Sequence, residues 1–263
     1  MSTAPLEPGR FDSTVPYYVA YRPRYPLELL RRTLTELGLR AGASVLDLGC
    51  GPGFLANGFA ALGCSCVGID PSRAMLDAAV AEAGRASVAV NYRHGSSFDL
   101  DQCRERFDCV AMGRSFHWMD RESTIQLLDT MVEPGGSVVL FYDFHMRCTE
   151  NAFDGVIKDV RKKHGGDRER WPYRQDKIAL PDESVLLGSP FCQLLRIGMP
   201  ERRSLTIEDI VGRAYSLSGT SPERLGQRAA AFERELREKL SALKPDGQFT
   251  ELIEFAALIA RRP

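Results

Sequence analysis

Residues 45 to 54 read VLDLGCGPGF, and this stretch determines what kind of sheet the chain builds. An apolar run from Val45 to Leu48 is followed by glycines at positions 49, 51 and 53. A short apolar run that ends in glycines is typical of a buried strand that leads into a tight turn. Glycine lets the backbone turn sharply and approach a ligand closely. The stretch therefore predicts a strand, a ligand-facing loop and, from FLANGFAAL onward, a helix.

The same alternation of apolar strand and helical pattern continues outward from this stretch. Further strands are predicted at CSCVGID, SVAVNYRHG, FDCVAMG and GSVVLFYD. Ser72 is placed to cap the helix that follows the second strand, and Asp120 is placed to cap the helix RESTIQLLDTMV. Strands that alternate with helices indicate a parallel α/β sheet.

After residue 143 this rhythm stops, and it returns near residue 191. The strand CQLLRIGMP, the helix TIEDIVGRAYS, a second helix that begins at Ser221 and Pro222, and the terminal strand FTELIEFAALIARR then follow. A long irregular stretch inside an α/β pattern usually covers a site. We therefore expect an N-terminal helical lid (1–40), a cofactor-binding core (41–143), a substrate cap (144–190) and the rest of the core sheet with its helices (191–263).

Composition excludes several classes of protein. The formal net charge is −1, so the chain has no basic surplus with which to hold nucleic acid. No apolar run approaches the ~20 residues of a membrane-spanning helix, and MSTAPLEPGRFDSTVP lacks the apolar block of a signal peptide. The seven cysteines are scattered without a Cys-x-x-Cys pair, which predicts reduced thiols, no metal site and a cytoplasmic location. The sequence leaves open whether the protein is a monomer or a homodimer.

Two acidic residues narrow the choice of cofactor. A dinucleotide loop would place its third glycine at position 54, which is Phe here, and Asp47 would lie unfavourably beside a diphosphate. Asp70 ends the second strand, 23 residues after Asp47, where a carboxylate can accept both hydroxyls of a ribose. A positively charged cofactor that contains adenosine but no phosphates suits these two acids.

Several motifs carry a resemblance to a known family. VLDLGCGPG, GID and EPGGSVVL resemble the class I S-adenosylmethionine-dependent methyltransferases, and FDS…YVAYRPRYP and SFHWMD are similar to their type 11, small-molecule branch. The resemblance covers residues 11–143 and returns at the terminal strand. It implies a Rossmann-like sheet of seven mostly parallel strands, the last antiparallel, with helices on both faces and an inserted cap.

The resemblance also implies which residues bind S-adenosylmethionine. The three glycines would line its methionine part, Asp47 would orient the amino group and Asp70 would bind the ribose. The complete set of expected cofactor-binding residues is Tyr21, Arg22, Asp47, Gly49, Gly51, Gly53, Asp70, Pro71, Ser97, Phe98, Gly113, Arg114 and Ser115.

The adenine end departs from the family pattern. Family members often carry an acidic residue after the third strand, where this chain has HGSSFDL. Ser97 and Phe98 could bond to and stack on adenine, with Asp99 near its exocyclic amine. The alternative is that Phe98 is a plain core residue.

The N-terminal stretch VPYYVAYRPRYP is predicted to be helical and to end before Pro23, and Pro26 starts another helix. Tyr17 and Tyr21 are then on one helical face. By resemblance, this lid closes over the cofactor, and Arg22 meets its carboxylate. The alternative is an amphipathic helix that only covers the sheet.

Methyl transfer from a sulfonium is an in-line displacement, and a hydroxyl acceptor gains ~10²–10⁴-fold from a positioned base. His117 and His145 follow the fourth and fifth strands at the ligand-binding edge, so both are candidate bases. Alternatively His117 only holds its loop, because the HW pair recurs in relatives with unlike acceptors. Arg114 could pair with an acidic substrate or with Asp120.

The expected activity is methyl transfer to nitrogen or oxygen of a small, planar or aromatic metabolite in natural-product biosynthesis. GRSFHW stands where nucleic-acid methyltransferases carry an Asn/Asp-Pro-Pro-aromatic run, which argues against that substrate. The alternative is a catalytically silent or non-methylating protein that binds S-adenosylmethionine. The expected substrate-binding residues are Tyr17, Trp118, Phe144, Trp171 and Tyr173.

Overall fold

A seven-stranded sheet runs through the centre of the protein in the computed structural model, which describes residues 9–164 and 181–263. Its strands are β1 (Ser44–Leu48), β2 (Ser65–Asp70), β3 (Val90–His94), β4 (Phe107–Gly113), β5 (Val132–His145), β6 (Gln193–Thr206) and β7 (Gln248–Arg261). The spatial order is β3-β2-β1-β4-β5-β7-β6. β7 is antiparallel to both of its neighbours, and the other pairings are parallel. The predicted Rossmann-like sheet with one antiparallel strand is confirmed.

Helices cover both faces of this sheet, as predicted. They are α1 (Val15–Tyr21), α2 (Leu27–Leu37), α3 (Phe54–Ala61), α4 (Arg73–Ala86), α5 (Arg121–Met131), α6 (Phe153–His164), α7 (Asp182–Leu187), α8 (Ile207–Tyr215), α9 (Pro222–Leu225) and α10 (Ala229–Leu243). Alternate strand residues face opposite sides. Residues such as Val110 and Leu140 pack against α5 and α7, whereas Ala111 and Phe141 pack against α2 and α3.

Side-chain caps begin two helices where the sequence predicts them. The Ser72 hydroxyl accepts a hydrogen bond from the backbone N–H of Met75 at the start of α4. The Asp120 carboxylate accepts one from Ser123 at the start of α5. Both helices begin directly after sheet strands or their loops, so these caps fix the chain at the edge where the site is expected.

A third apolar cluster lies beside the sheet and joins α6, α8 and α10 with the N-terminal α1. Its fully buried members include Phe153, Ile210 and Phe232, and Tyr17 packs against them. The helix expected from Ser221 is interrupted, because Gly226 adopts a positive φ of 50° and separates α9 from α10. The domain boundaries inferred from the sequence stay a prediction.

Within residues 9–164 and 181–263, the helices are too short or too polar for any of them to traverse a lipid bilayer.

Candidate active site

The loop between β1 and α3 needs glycine at three positions, for two different reasons. All three have positive φ: 71° at Gly49, 53° at Gly51 and 76° at Gly53. A Cβ on Gly49 would lie 2.5 Å from the Ser115 Cβ, and one on Gly53 would lie 2.1 Å from the Tyr92 hydroxyl. A Cβ on Gly51 would meet nothing within 4 Å. The outer glycines are therefore required by packing, and the middle one faces open space.

Two buried carboxyl groups flank this loop. Asp47 is only 1% exposed, and its Oδ2 accepts a hydrogen bond from the backbone N–H of Ala56 at 3.0 Å. Burial raises the pKa of Asp47 to about 7. Asp70 accepts backbone hydrogen bonds from Gly51 at 2.8 Å and from Ser72 at 2.9 Å, and burial raises its pKa to about 6. Both carboxyls gain from a positive or hydrogen-bond-donating partner in front of the loop.

A small cavity of about 10 Å³ lies between the glycine loop, the end of β4 and α1. Three of its lining residues are predicted cofactor contacts: Asp47, Gly113 and Arg114. The other lining residues are not among the predicted contacts; they are Tyr18, Tyr25, Cys50, Pro52, Phe54 and Leu55. Gly113 is also required by packing, because a Cβ there would lie 2.7 Å from Leu55 Cδ1.

A larger open groove of about 500 Å³ lies at the far edge of the sheet, between β3 and α4. Its lining includes Ser65, Val80, Val90 and Asn91, and it contains no carboxylate, basic side chain or histidine. Such a surface cannot hold a charged cofactor, so the smaller cavity is the candidate site.

Helix α1 turns two pairs of side chains in different directions. Tyr17 and Tyr21 stack at 6.4 Å and face α8, where a Cβ on Gly212 would lie 2.2 Å from the Tyr21 ring. Tyr18 and Arg22 form the other pair, with the guanidinium 5.2 Å from the ring centre, and Tyr18 lines the cavity. The structure therefore does not place Tyr21 at the cavity, since its ring packs on α8. Tyr17 likewise packs against Tyr215, at 5.0 Å.

Arg22 is a half-buried cationic group that lies over Tyr18, a residue of the cavity wall. Its Nε makes no hydrogen bond to any residue that the structure describes. Burial lowers the pKa of Arg22, while the charge of Asp143 nearby acts in the opposite direction. A buried guanidinium without a bonded anion is unfavourable, so Arg22 is poised for an anionic ligand.

The Arg114 side chain is committed to protein groups. Its Nε donates to Asp143 at 2.8 Å, its terminal nitrogen donates to the Pro23 carbonyl at 2.7 Å, and it lies 4.6 Å over the Tyr25 ring. Burial alone would raise the pKa of Asp143, but the Arg114 guanidinium holds it below its ordinary value. The carboxylate that Arg114 pairs with is Asp143 on the adjacent strand rather than Asp120, and pairing with an acidic substrate stays a prediction.

The residues after β4 hold the loop against β1. The Ser115 hydroxyl donates to the Leu48 carbonyl at 2.7 Å. His117 and Trp118 follow in a short turn with their rings 5.1 Å apart. Trp118 contacts the N-terminal segment, with Phe11 edge-on at 5.4 Å and the Arg10 guanidinium at 5.2 Å. Trp118 thus already packs against the chain where a substrate contact was expected.

The predicted adenine end lies beyond Asp70. The Pro71 carbonyl accepts a hydrogen bond from His94 Nε2 at 3.0 Å. Ser97 is buried and Phe98 is half-buried. Asp99 Oδ2 accepts from the backbone and hydroxyl of Ser96, at 2.8 and 2.7 Å, so that oxygen already serves this turn.

His145 lies between two carboxylates. Its Nδ1 lies 2.8 Å from Asp154 Oδ1, and its Nε2 lies 3.1 Å from Glu251 Oε1. Glu251 also binds Arg213 through two hydrogen bonds. Both ring nitrogens therefore lie beside carboxylates, and the expectation that His145 removes a proton stays a prediction.

Phe144 lies on the face of the sheet opposite to Asp143. Because β5 continues to His145, its side chains alternate, and Phe144 stacks on Tyr142 at 5.1 Å with Arg196 over it at 5.6 Å. Asp143 points to the opposite face, toward Arg114. The structure does not bring Phe144 to the cavity, and its role in substrate binding stays a prediction. Trp171 and Tyr173 lie outside the described residues.

Comparison with known proteins identifies the class of domain. Residues 45–136 match the family model of a methyltransferase domain. The chain therefore contains a class I, S-adenosylmethionine-dependent methyltransferase domain, which is the family that its motifs resemble.

One curated relative is named ubiquinone biosynthesis O-methyltransferase, from Methylobacterium nodulans. It is 32% identical over 177 residues, which are 67% of this chain and 65% of that protein. Among the curated relatives, the aligned part spans 40% to 65% of the relative's own length. The chain therefore aligns with only part of the length of these relatives.

Solved structures share the fold at low sequence identity. A candidate type II methyltransferase from Anaeromyxobacter dehalogenans superposes with a TM-score of 0.63 at 19% identity, over 92% of this chain and 98% of that one. A methyltransferase from Thiobacillus denitrificans, solved with S-adenosylhomocysteine, gives a TM-score of 0.52 at 21% identity, over 97% and 99% of the two chains. These likenesses support the fold.

Proposed function

We propose that this protein binds S-adenosylmethionine between the glycine loop and α1 and transfers its methyl group to a small molecule. The observation that carries the proposal is the half-buried Arg22 side chain, whose buried Nε has no hydrogen-bond partner among the described residues and which contacts Tyr18 at the wall of a cavity that the buried Asp47 also lines. The α-amino acid of the cofactor carries one negative and one positive group, which match Arg22 and Asp47 respectively.

The residues of this chain fit the cofactor along the whole strand edge. Asp70 would accept the ribose hydroxyls through lone pairs that its two backbone hydrogen bonds leave available. Gly51 allows the cofactor to approach the backbone, since no atom lies where its side chain would be. Ser97 and Phe98 would contact the adenine. Bound S-adenosylmethionine supplies a methyl group on a positively charged sulfur, and the protein aligns the acceptor and excludes water.

The acceptor is proposed to be a small planar or aromatic molecule that is methylated on oxygen. The names of the curated relatives support an oxygen acceptor and a quinone-related ring. A hydroxyl acceptor benefits from a base, and His117 is the candidate because His145 is held by two carboxylates. Methylation on nitrogen and a place in natural-product biosynthesis are the alternatives, and a screen of acceptors distinguishes them.

Binding and transfer can be tested separately. Titration calorimetry with S-adenosylhomocysteine should show one site, and Arg22→Ala should weaken it about tenfold or more because a charge-assisted contact is lost. Exposed Arg32→Ala is the matched control. A screen of catechols, phenols and anilines with labelled S-adenosylmethionine should then show transfer to a hydroxyl. Tight binding without transfer to any acceptor would favour a catalytically silent protein instead.

A further inference from the structure

Arg114 adopts a backbone conformation that its residue type disfavours. Its φ is 58°, in the left-handed region, whereas most side chains clash there with their own backbone. The strain is maintained by the Asp143 ion pair, by the Pro23 hydrogen bond and by the Tyr25 ring. Such strained positions are held only where the surrounding contacts compensate. The contacts of the Arg114 side chain identify the segments that this strained conformation holds together.

Those contacts join three separate segments. Arg114 follows β4, Asp143 lies near the end of β5, and Pro23 lies in the turn between α1 and α2. Pro23 directly follows Arg22, is buried and has a fixed φ, so holding its carbonyl restrains the peptide that carries Arg22. Tyr25, two residues further on, donates its hydroxyl to the Phe141 carbonyl at 3.2 Å. The turn is thus fixed to the sheet on both sides of Pro23.

Arg114 also determines which cation pairs with Asp143. The Asp143 carboxylate is close enough to Arg22 for each to affect the charge of the other. Because Asp143 already accepts the Nε–H of Arg114, Arg22 makes no hydrogen bond to it. If Arg114 were absent, the Asp143 carboxylate would be available to pair with Arg22.

We propose that Arg114 is a positioning residue that acts through Arg22. It holds the Pro23 turn and occupies Asp143, so that the Arg22 guanidinium stays free for the carboxylate of the cofactor. This inference rests on the proposed function, since it assumes that Arg22 binds that carboxylate. It assigns to the Arg114 side chain a role that does not require contact with the cofactor.

The test compares two probes, S-adenosylhomocysteine and 5′-methylthioadenosine. They share the adenosine and the thioether, but the second lacks the amino acid and its carboxylate. Arg114→Lys keeps the charge but replaces the two guanidinium nitrogens that bind Asp143 and Pro23 with a single ammonium. Arg114→Gly removes the side chain and relieves the strained backbone. Both should weaken S-adenosylhomocysteine binding about tenfold while changing methylthioadenosine binding less than about twofold. Arg93→Lys, at an exposed ion pair, is the matched control.

A double-mutant cycle tests whether the effect passes through Arg22. In an Arg22→Ala background, Arg114→Lys should cause no further loss of S-adenosylhomocysteine affinity. Additive losses, or equal losses of both probes, would overturn the inference. If both Arg114 variants fail to fold, Asp143→Asn weakens the same ion pair without changing the strained residue. The affinities of this variant for S-adenosylhomocysteine and methylthioadenosine then test the inference.

The two proposals fail in different ways. If the wild-type protein binds both probes equally, or Arg22→Ala leaves their ratio unchanged, the carboxylate role of Arg22 is wrong. If Arg22→Ala removes the preference and the Arg114 variants retain it, only the positioning role is wrong.

Discussion

At the scale of single residues, the burial of the Asp47 carboxyl makes the site favour a positive or hydrogen-bond-donating partner. Burial raises its pKa to about 7, so the folded protein keeps this carboxyl protonated at pH values where the unfolded chain has lost the proton. The folded state then binds more protons than the unfolded state between about pH 4 and pH 7. The contribution of Asp47 to stability is therefore lost as the pH rises through this range.

Asp47→Asn should stabilise the ligand-free protein at pH 8, by about 2 to 4 kcal/mol, because the neutral amide avoids the buried charge and can still accept the Ala56 hydrogen bond. The same variant should lose binding of S-adenosylhomocysteine. Thermal melts at pH 5.5 and pH 8 check this, with exposed Asp77→Asn as control. If Asp47→Asn proves less stable than wild type at pH 8, the pKa assignment is contradicted.

Gly51 and Gly53 should respond differently to alanine. Both changes place a Cβ on a left-handed residue, at a cost of about 1–2 kcal/mol. Gly53→Ala also meets the Tyr92 hydroxyl, so it should lower the stability further, by about 1–3 kcal/mol, and adding Tyr92→Phe should recover part of the loss. Gly51→Ala should affect cofactor binding more than stability. Denaturant titration and calorimetry on the same samples separate these outcomes, and equal behaviour of the two variants would argue against the open space at Gly51.

The residue scale also shows what the sequence could predict. The glycines and the two acids are specified by local spacing, and the structure places them at one strand edge. The choice between Tyr18 and Tyr21 is not local. It depends on Gly212, far along the chain, whose missing side chain lets the Tyr21 ring pack on α8. The pairing of Tyr18 with Arg22, four residues apart, was the signal that could have identified the cavity-facing side of α1.

At the scale of elements, α1 lies between α8 and the cavity. Its position therefore links the apolar cluster of α6, α8 and α10 to the site. Gly212→Ala should displace α1, since the added Cβ would lie 2.2 Å from the Tyr21 ring. Overpacking of this kind costs about 1–3 kcal/mol, and cofactor affinity should fall with it. Adding Tyr21→Ala should restore the affinity.

Gly155→Ala, in α6, is the matched control for this prediction, because nothing lies within 4 Å of its added Cβ. It should leave affinity unchanged and stabilise the helix by up to about 1 kcal/mol. Melting temperatures and S-adenosylhomocysteine affinities of the three variants provide the measurement. Unchanged binding in Gly212→Ala would separate α1 from the site.

The elements themselves were predictable where the pattern is strong and local. β1 to β5 alternate with helices, and caps such as Ser72 mark the boundaries. The length of β5 was not predictable, because pairing with β7 extends it to His145 and fixes the face of Phe144. The partners of His145 could not be predicted from the sequence either, because Asp154 and Glu251 lie on other elements, α6 and β7.

At the scale of the whole molecule, a partly buried network of ionisable side chains joins the sheet to α6 and α8. His145 on β5, Asp154 on α6, Glu251 on β7 and Arg213 on α8 form it. Glu251→Gln would leave the buried Arg213 guanidinium without its counter-charge, at a cost of about 3–5 kcal/mol. Glu105→Gln at the exposed Arg93 pair should cost at most about 1 kcal/mol. Urea unfolding measures both, and similar small losses would show that the network is dispensable.

The position of β7 has a consequence for how the protein is made. β7 is inserted between β5 and β6, although it is translated after both. While the chain is being synthesised, β1 to β5 can already assemble, but β6 has no neighbour to which it can bond. The pairing of β6 therefore waits for β7, and both long strands join the sheet in one late, long-range step. On the ribosome, we expect the part of the chain with β1 to β5 and the glycine loop to gain protection from proteolysis before the part with β6 and β7.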